Sequence, residues 1–175
     1  FSDAGVEPCE CKFLEWGWWG TDVETGSGEG AKRSTAHLGV WAAGDVTREQ
    51  DIPTTGTGRY AGHAVGNVVN STSGTTQQYV AAGNLDVEYD FGARSGRLDI
   101  TNFDGRDFGG PIVSIPGITG GNQFGGSLSG SGVSGSTVGA FVNDGARAAG
   151  GVLGNFSVGG ADYGATGIYV GARTD

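Results

Sequence analysis

Glycine interrupts this chain too often for a long helix to form. There are 37 glycines among 175 residues, roughly three times ordinary usage, and each one inside a helix costs about 1 kcal/mol against alanine. They follow no three-residue period, so a collagen-like triple helix is excluded as well. Four Trp, eight Phe and five Tyr are too many apolar rings for a disordered chain. What remains is an all-β, turn-rich fold. The one stretch with a weak helical pattern is Asp45 to Gln50.

The strands can be read from period-two alternation between turn signals. Cys11 to Thr21 is the first, with Leu14, Trp16 and Trp18 on one face and Phe13 and Trp19 on the other. A strand apolar on both faces is either covered on both sides or offers aromatics to a partner. A polar loop from Gly26 to Arg33 leads into a second strand, Thr35 to Asp45, carrying Leu38, Val40 and Trp41. Thr47 to Gly56 reads as a linker or a small-module boundary. Eight strands then follow at regular spacing: Arg59–Asn70, Gln78–Phe91, Gly96–Phe103, Phe108–Ser114, Gln123–Ser129, Ser136–Asn143, Ala149–Val158 and Asp162–Arg173, with Pro116 and glycines between the fourth and fifth. Eight is the number at which a small barrel can be filled by its own side chains. The fold class expected is an eight-stranded antiparallel β-barrel over 56–175, preceded by a small Trp-rich β hairpin module over 1–55.

Two finer expectations follow. With Gly92 to Ser95 as a four-residue hairpin loop, Phe91 faces Gly96, Asp90 faces Arg97, Tyr89 faces Leu98 and Val87 faces Ile100. The alignment of apolar residues places Leu85, Val87, Tyr89, Leu98, Ile100, Val138, Val152 and Phe156 inside the barrel, leaving no large cavity.

The stretch 58–173 resembles the β-barrel domain of the transferrin-binding protein B-like family of bacterial surface proteins. Gly58-Arg59-Tyr60-Ala61-Gly62-His63-Ala64 is similar to the family's opening strand, Gly83 to Gly92 and Ser95 to Ile100 to its next two, and Gln123-Phe124-Gly125-Gly126 to its middle strand. The most specific piece is Val138 to Val152, similar to the family's glycine-aromatic hairpin, though Arg147 and Ala148 stand where Ala-Glu is usual. Tyr163 to Tyr169 fits a closing strand. The resemblance implies a surface or secreted binding protein of Gram-negative bacteria. Members capture host iron proteins, complement regulators, polyanions or haem, and pair the barrel with a smaller β module that residues 1–55 would supply. It carries over no catalytic residues, and ligand contacts lie in variable loops.

Charge narrows the partners. Nineteen acidic against ten basic side chains leave a formal net charge of -9, which argues against a nucleic-acid binder, since that needs a basic stripe to meet phosphates. No run of 18 apolar residues exists to span a membrane as a helix. The chain begins at Phe1 and contains no Met, which reads as a processed product, a fragment or an excised domain.

Little in the sequence suggests enzyme chemistry. His37 and His63 have no converging set of ligands or nucleophile around them, and each reads first as a structural or surface histidine rather than a haem or metal ligand. Gly26 to Gly30 is glycine-rich but lacks the Lys-Ser/Thr of a phosphate loop. Asp86, Glu88 and Asp90 alternate along one exterior face, where hydrolytic carboxylates need to oppose each other across a cleft. Cys9 and Cys11 are too close for a zinc knuckle and stand as a candidate disulfide, a redox pair, two thiols at a strand start, or half-bridges to another chain or domain. No cofactor, metal site or catalytic residue is expected. The candidate binding residues are Trp16, Trp18, Trp19 and Trp41, because four Trp exceed what an isolated hairpin can bury. The expected role is non-enzymatic: an extracellular or cell-surface protein that binds a protein or other macromolecule. The alternative is a fibre or adhesin subunit that self-assembles through the Trp-rich strand.

Overall fold

The computed structural model describes residues 6, 8–115 and 121–175, and for residues 29, 33 and 35–38 the backbone alone. Two strands, β1 (Leu14–Thr25) and β2 (Lys32–Gly44), form an antiparallel hairpin. Eight more close into an antiparallel barrel: β3 (Thr57–Asn70), β4 (Gln77–Asp90), β5 (Ser95–Phe103), β6 (Arg106–Ser114), β7 (Gln123–Gly130), β8 (Val133–Val142), β9 (Gly151–Gly159) and β10 (Tyr163–Arg173), with β10 paired to both β9 and β3. Among the described residues the helical content consists of two three-residue 3-10 turns, Gly28–Gly30 and Glu49–Asp51, the second overlapping the end of the weakly helical stretch Asp45 to Gln50. Pro116, expected to separate β6 from β7, lies outside the described residues.

The alternation of β4 governs its wall of the barrel. Leu85, Val87 and Tyr89 point inward and are buried, while Glu88 and Asp90 on the opposite face are exposed. Tyr60, Tyr89, Phe91, Phe124 and Phe141 form an aromatic cluster, with Phe141 between 4.9 and 6.0 Å from the other four ring centroids. A second cluster joins Phe103, Phe108 and Phe156 at 5.2–5.9 Å. Tyr169 is fully buried, and a 3.0 Å hydrogen bond links its Oη to Thr137 Oγ1. A Cβ at Gly139 or Gly154 would overlap the Tyr169 hydroxyl, so glycine at these two positions makes room for a ring in the lumen.

The structure corrects two details. The β4–β5 register is displaced by two residues: Tyr89 pairs with Gly96, Val87 with Leu98 and Leu85 with Ile100, and Glu88 rather than Asp90 faces Arg97. A two-residue displacement keeps every side chain on its face. The loop spans residues 91–94, with Phe91 turned into the core at 2% exposure and Arg94 in the left-handed region at φ 54°. Arg97 pairs instead with Asp99 two residues along its own strand, at 2.6 and 2.7 Å. The second correction is Val138, which is 44% exposed on the outer wall. The inward residues of β8 are Thr137, Gly139 and Phe141; Val142, on Val138's face, is buried because other chain covers it. The other seven residues expected inside are buried.

The segment that follows the hairpin lies across one end of the barrel as a strap. Asp45 accepts from the Asn143 amide through its carbonyl, and its carboxylate accepts from Asn143 Nδ2, both at 2.8 Å. Val46 forms an isolated bridge with Val142. Thr47 is completely buried and joins four partners. Its N–H donates to the Phe141 carbonyl and its carbonyl accepts from Asn122 Nδ2, each at 2.9 Å. Its hydroxyl donates to Asn143 Oδ1 at 2.9 Å and accepts from the Ala149 N–H at 3.1 Å. Thr47→Val keeps the shape but strands the Ala149 N–H and Asn143 Oδ1. It is expected to lower stability by about 1–3 kcal/mol in urea unfolding.

Candidate binding surface

The hairpin touches the barrel through its base. Cys11, Leu14, Val142 and Val170 form a buried cluster, with Phe13, Trp16, Ala42, Leu153 and Ala172 packed against it. These outer-wall residues of β8, β9 and β10 are apolar because the hairpin base covers them. His63, on the outer face of β3, is fully buried in the same seam. Its Nδ1 accepts from the Cys9 N–H at 2.9 Å, and the Trp16 ring meets its imidazole edge-on at 4.3 Å. Burial lowers the His63 pKa from 6.5 to about 4, so the ring is neutral at physiological pH. The Cys9 and Cys11 sulfurs face each other across Glu10.

Beyond its base the hairpin projects, and alternation separates the four Trp. Trp16 faces the barrel and is half-buried, whereas Trp18, on the same face further out, is 50% exposed. Trp19 and Trp41 lie on the face turned away from the barrel, 56% and 44% exposed. In the register Gly17 pairs with Trp41 and Trp19 with Gly39. A Cβ at Gly17 would come within 3.0–3.2 Å of three Trp41 indole atoms, and one at Gly39 within 2.9 Å of Trp19 Nε1. Each indole therefore lies flat over the glycine of the opposite strand and turns its other π face to solvent. Val23, on the same outer face, is 42% exposed. The Trp pairings are legible in Trp16-Gly17-Trp18-Trp19 and Gly39-Val40-Trp41 once the hairpin register is known. A bulge between Trp19 and Gly20 hides that register in the sequence.

The remaining candidate groups do not converge. His37 pairs with Gly20 through its backbone, and its side chain, like that of Leu38, lies outside the described residues. Asp86 and Glu88 stand on the outer wall, where Arg59 approaches Glu88 at 3.4 Å. Among the described residues no three His, Cys, Asp or Glu side chains form a group able to hold a metal, and no helix is long and apolar enough to cross a membrane.

The closed eight-stranded antiparallel barrel with its two-stranded hairpin is a transferrin-binding protein B-like fold. It matches transferrin-binding protein B of Haemophilus parasuis with a TM-score of 0.63 at 14% identity, over 94% of this chain and 33% of that one. A surface lipoprotein structure matches with a TM-score of 0.64 at 13% identity, over 97% of this chain and 79% of the other. HpuA from Kingella denitrificans, solved in complex with human haemoglobin, matches with a TM-score of 0.57 at 14% identity, over 97% of this chain and 57% of its own. The chain thus spans about a third of the Haemophilus protein's length. No protein-family model matches the sequence, and no curated protein matches it.

Proposed function

We propose that this chain is a non-enzymatic, exported bacterial cell-surface protein or a domain of one, which binds a macromolecular partner, foremost a protein. The observation that carries this reading is the outer hairpin face, where Trp19 and Trp41 lie flat and about half exposed beside Val23. Exposed indoles on a rigid support are the side chains that interfaces use as anchors. The fold adds support, because it is shared with proteins whose names state binding to transferrin or haemoglobin. In this reading the division falls at residues 55 and 56. The barrel (56–175) is the scaffold, the N-terminal module (1–55) presents the contact surface, and a Cys9–Cys11 disulfide secures the module's start. Ten acidic against four basic side chains lie in residues 1–55, so the partner's rim is basic, and nucleic acid and heparin are repelled at physiological salt.

Iodide quenching of tryptophan fluorescence tests the surface directly. The free chain is expected to show quenchable emission that falls by about half or more in W19A/W41A, since these are two of the four indoles. Human haemoglobin and transferrin are the first probes. With a protein that binds, the quenchable fraction becomes protected, and each Trp→Ala change weakens binding by about 2 kcal/mol, roughly thirtyfold. Unquenchable Trp19 and Trp41 in the free monomer overturn the proposal.

Self-assembly through the Trp-rich strand is the second reading. It is favoured by the two-stranded sheet, whose order includes no third strand among the described residues. Sedimentation over a range of concentrations separates the two readings. Tryptophan protection that rises with concentration, without any added partner, selects assembly.

A further inference from the structure

The end of the barrel under the strap encloses a small pocket unrelated to the hairpin face. Ile52, Pro53 and Glu49 line it from the strap, Tyr89, Phe91 and Arg94 from the β4–β5 turn, and its volume is about 210 Å³. That equals the liquid volume of about seven waters. Mouths of β-barrels are a recurrent place for small-molecule sites.

Three independent features make this pocket more than a packing gap. Tyr89 is 1% exposed, and its Oη has no hydrogen-bond partner. Ser114, at the end of β6 and two strands away, affects its ionisation without completing hydrogen-bond geometry. Buried hydroxyls left unmatched are rare in native structures. The second feature is Arg94, which lies close enough to Tyr89 to favour the ionised phenol and makes no ion pair or hydrogen bond through its side chain among the described residues. One of its guanidinium nitrogens lies 3.5 Å from where a Cβ would stand on Gly121, which also lines the pocket. The third is the Arg94 backbone at φ 54°, a conformation that glycine adopts without strain and arginine does not. Strained non-glycine residues gather at ligand sites more than elsewhere.

We propose that this pocket binds a small monocarboxylate with a compact apolar body. The carboxylate accepts from the Arg94 guanidinium and the Tyr89 hydroxyl, giving both groups a partner. The apolar body rests on Ile52, Pro53 and Phe91. Glu49 also lines the pocket and repels a second negative charge, so the site prefers monoanions to dianions.

Benzoate, with neutral benzamide as its control, is a suitable probe, followed by amide NMR shifts in the full chain. Saturable shifts at Ile52, Arg94 and Ser95 are expected with benzoate at a Kd of about 1 mM or tighter, and little effect with benzamide. Arg94→Gly removes the charge and relieves the backbone, so benzoate should bind at least about tenfold more weakly while the unfolding midpoint stays level or rises. Tyr89→Phe should weaken binding by roughly threefold and Glu49→Gln should tighten it by a similar factor. Equal shifts from benzoate and benzamide, unchanged affinity in Arg94→Gly, or no saturable binding by about 20 mM would each overturn the proposal.

Discussion

Phe141→Ala is expected to destabilise the barrel by about 3–5 kcal/mol, among the largest losses that a single truncation in this chain can produce. The ring is fully buried and contacts the rings of Tyr60, Tyr89, Phe91 and Phe124. Four large rings, held by β3, β4, the β4–β5 turn and β7, cannot all move into the space it leaves, so the cavity stays open and its walls lose dispersion contacts. The backbone of Phe141 also accepts from Thr47 and donates to the Asn122 carbonyl, which holds the strap end in place and further limits collapse. Urea unfolding followed by near-ultraviolet circular dichroism measures the loss. Val138→Ala on the same strand is the control: with its side chain on the outer wall and 44% exposed, it should change stability by no more than about 0.5 kcal/mol. A larger loss in Val138→Ala than in Phe141→Ala would mean that β8 faces the other way.

The second large effect is a loss of stability in mild acid, centred on His63. Above pH 6.5 the imidazole is neutral in both folded and unfolded chains, and its contribution is fully present. In the folded protein burial lowers its pKa to about 4. As pH falls from 6.5 towards 4, the unfolded chain takes up a proton that the folded chain refuses. Stability therefore declines by up to about 3 kcal/mol across that window and levels off below it. Structurally, protonating Nδ1 turns the acceptor of the Cys9 N–H into a donor and places a charge beside Trp16 and Val170 in the apolar seam. His63→Gln should flatten this part of the profile. Asp144 and Asp175 are held below the usual carboxylate range, Asp144 chiefly by the Ala146 N–H and Asp175 chiefly by Arg173. Their contributions are present above that range and are lost only as pH falls through their lowered values, so they act at a lower pH. A wild-type profile flat from pH 7 to 4.5 would refute the seam as drawn.

Much of the barrel was legible because its strands are bounded by glycine and alternate cleanly. Leu85, Val87 and Tyr89 against Asp86, Glu88 and Asp90 assign the inner and outer faces of β4 unaided. The register failed where conformation parted from composition. Nothing about Arg94 announces a left-handed backbone, and the turn sits one residue earlier than Gly92–Ser95: Phe91 belongs to it, while Ser95 is a strand residue paired with Asp90. On β8 the apolar alignment pointed the wrong way for two reasons. Gly139 is an interior position because Tyr169 needs its space, and Val142 is an exterior one kept dry by the hairpin base. Thr47 was hidden for a related reason, since a polar residue in a polar stretch gives no sign of four buried hydrogen bonds. The aromatic hairpin was visible as a surface needing a neighbour. Which indole faced the barrel was not, because docking depends on the outer walls of β3, β8, β9 and β10, all distant from the hairpin in the chain.

The closing seam has a kinetic consequence. Tyr60 at one end of β3 pairs with Arg173 on β10, and Asn70 at the other end pairs with Tyr163. The intervening hairpins can zip up from neighbouring strands, each over a short loop, but the last seam joins the first barrel strand to the last. Its loop-closure entropy is the largest in the fold, and contacts of such separation are the slow ones. Until β10 arrives, β3 and β9 each expose a row of unpaired amides and carbonyls. During that interval the chain is most open to pairing with another copy of itself. The rate at which β10 docks, more than the depth of the final well, therefore sets how much of the protein reaches its closed form at high concentration.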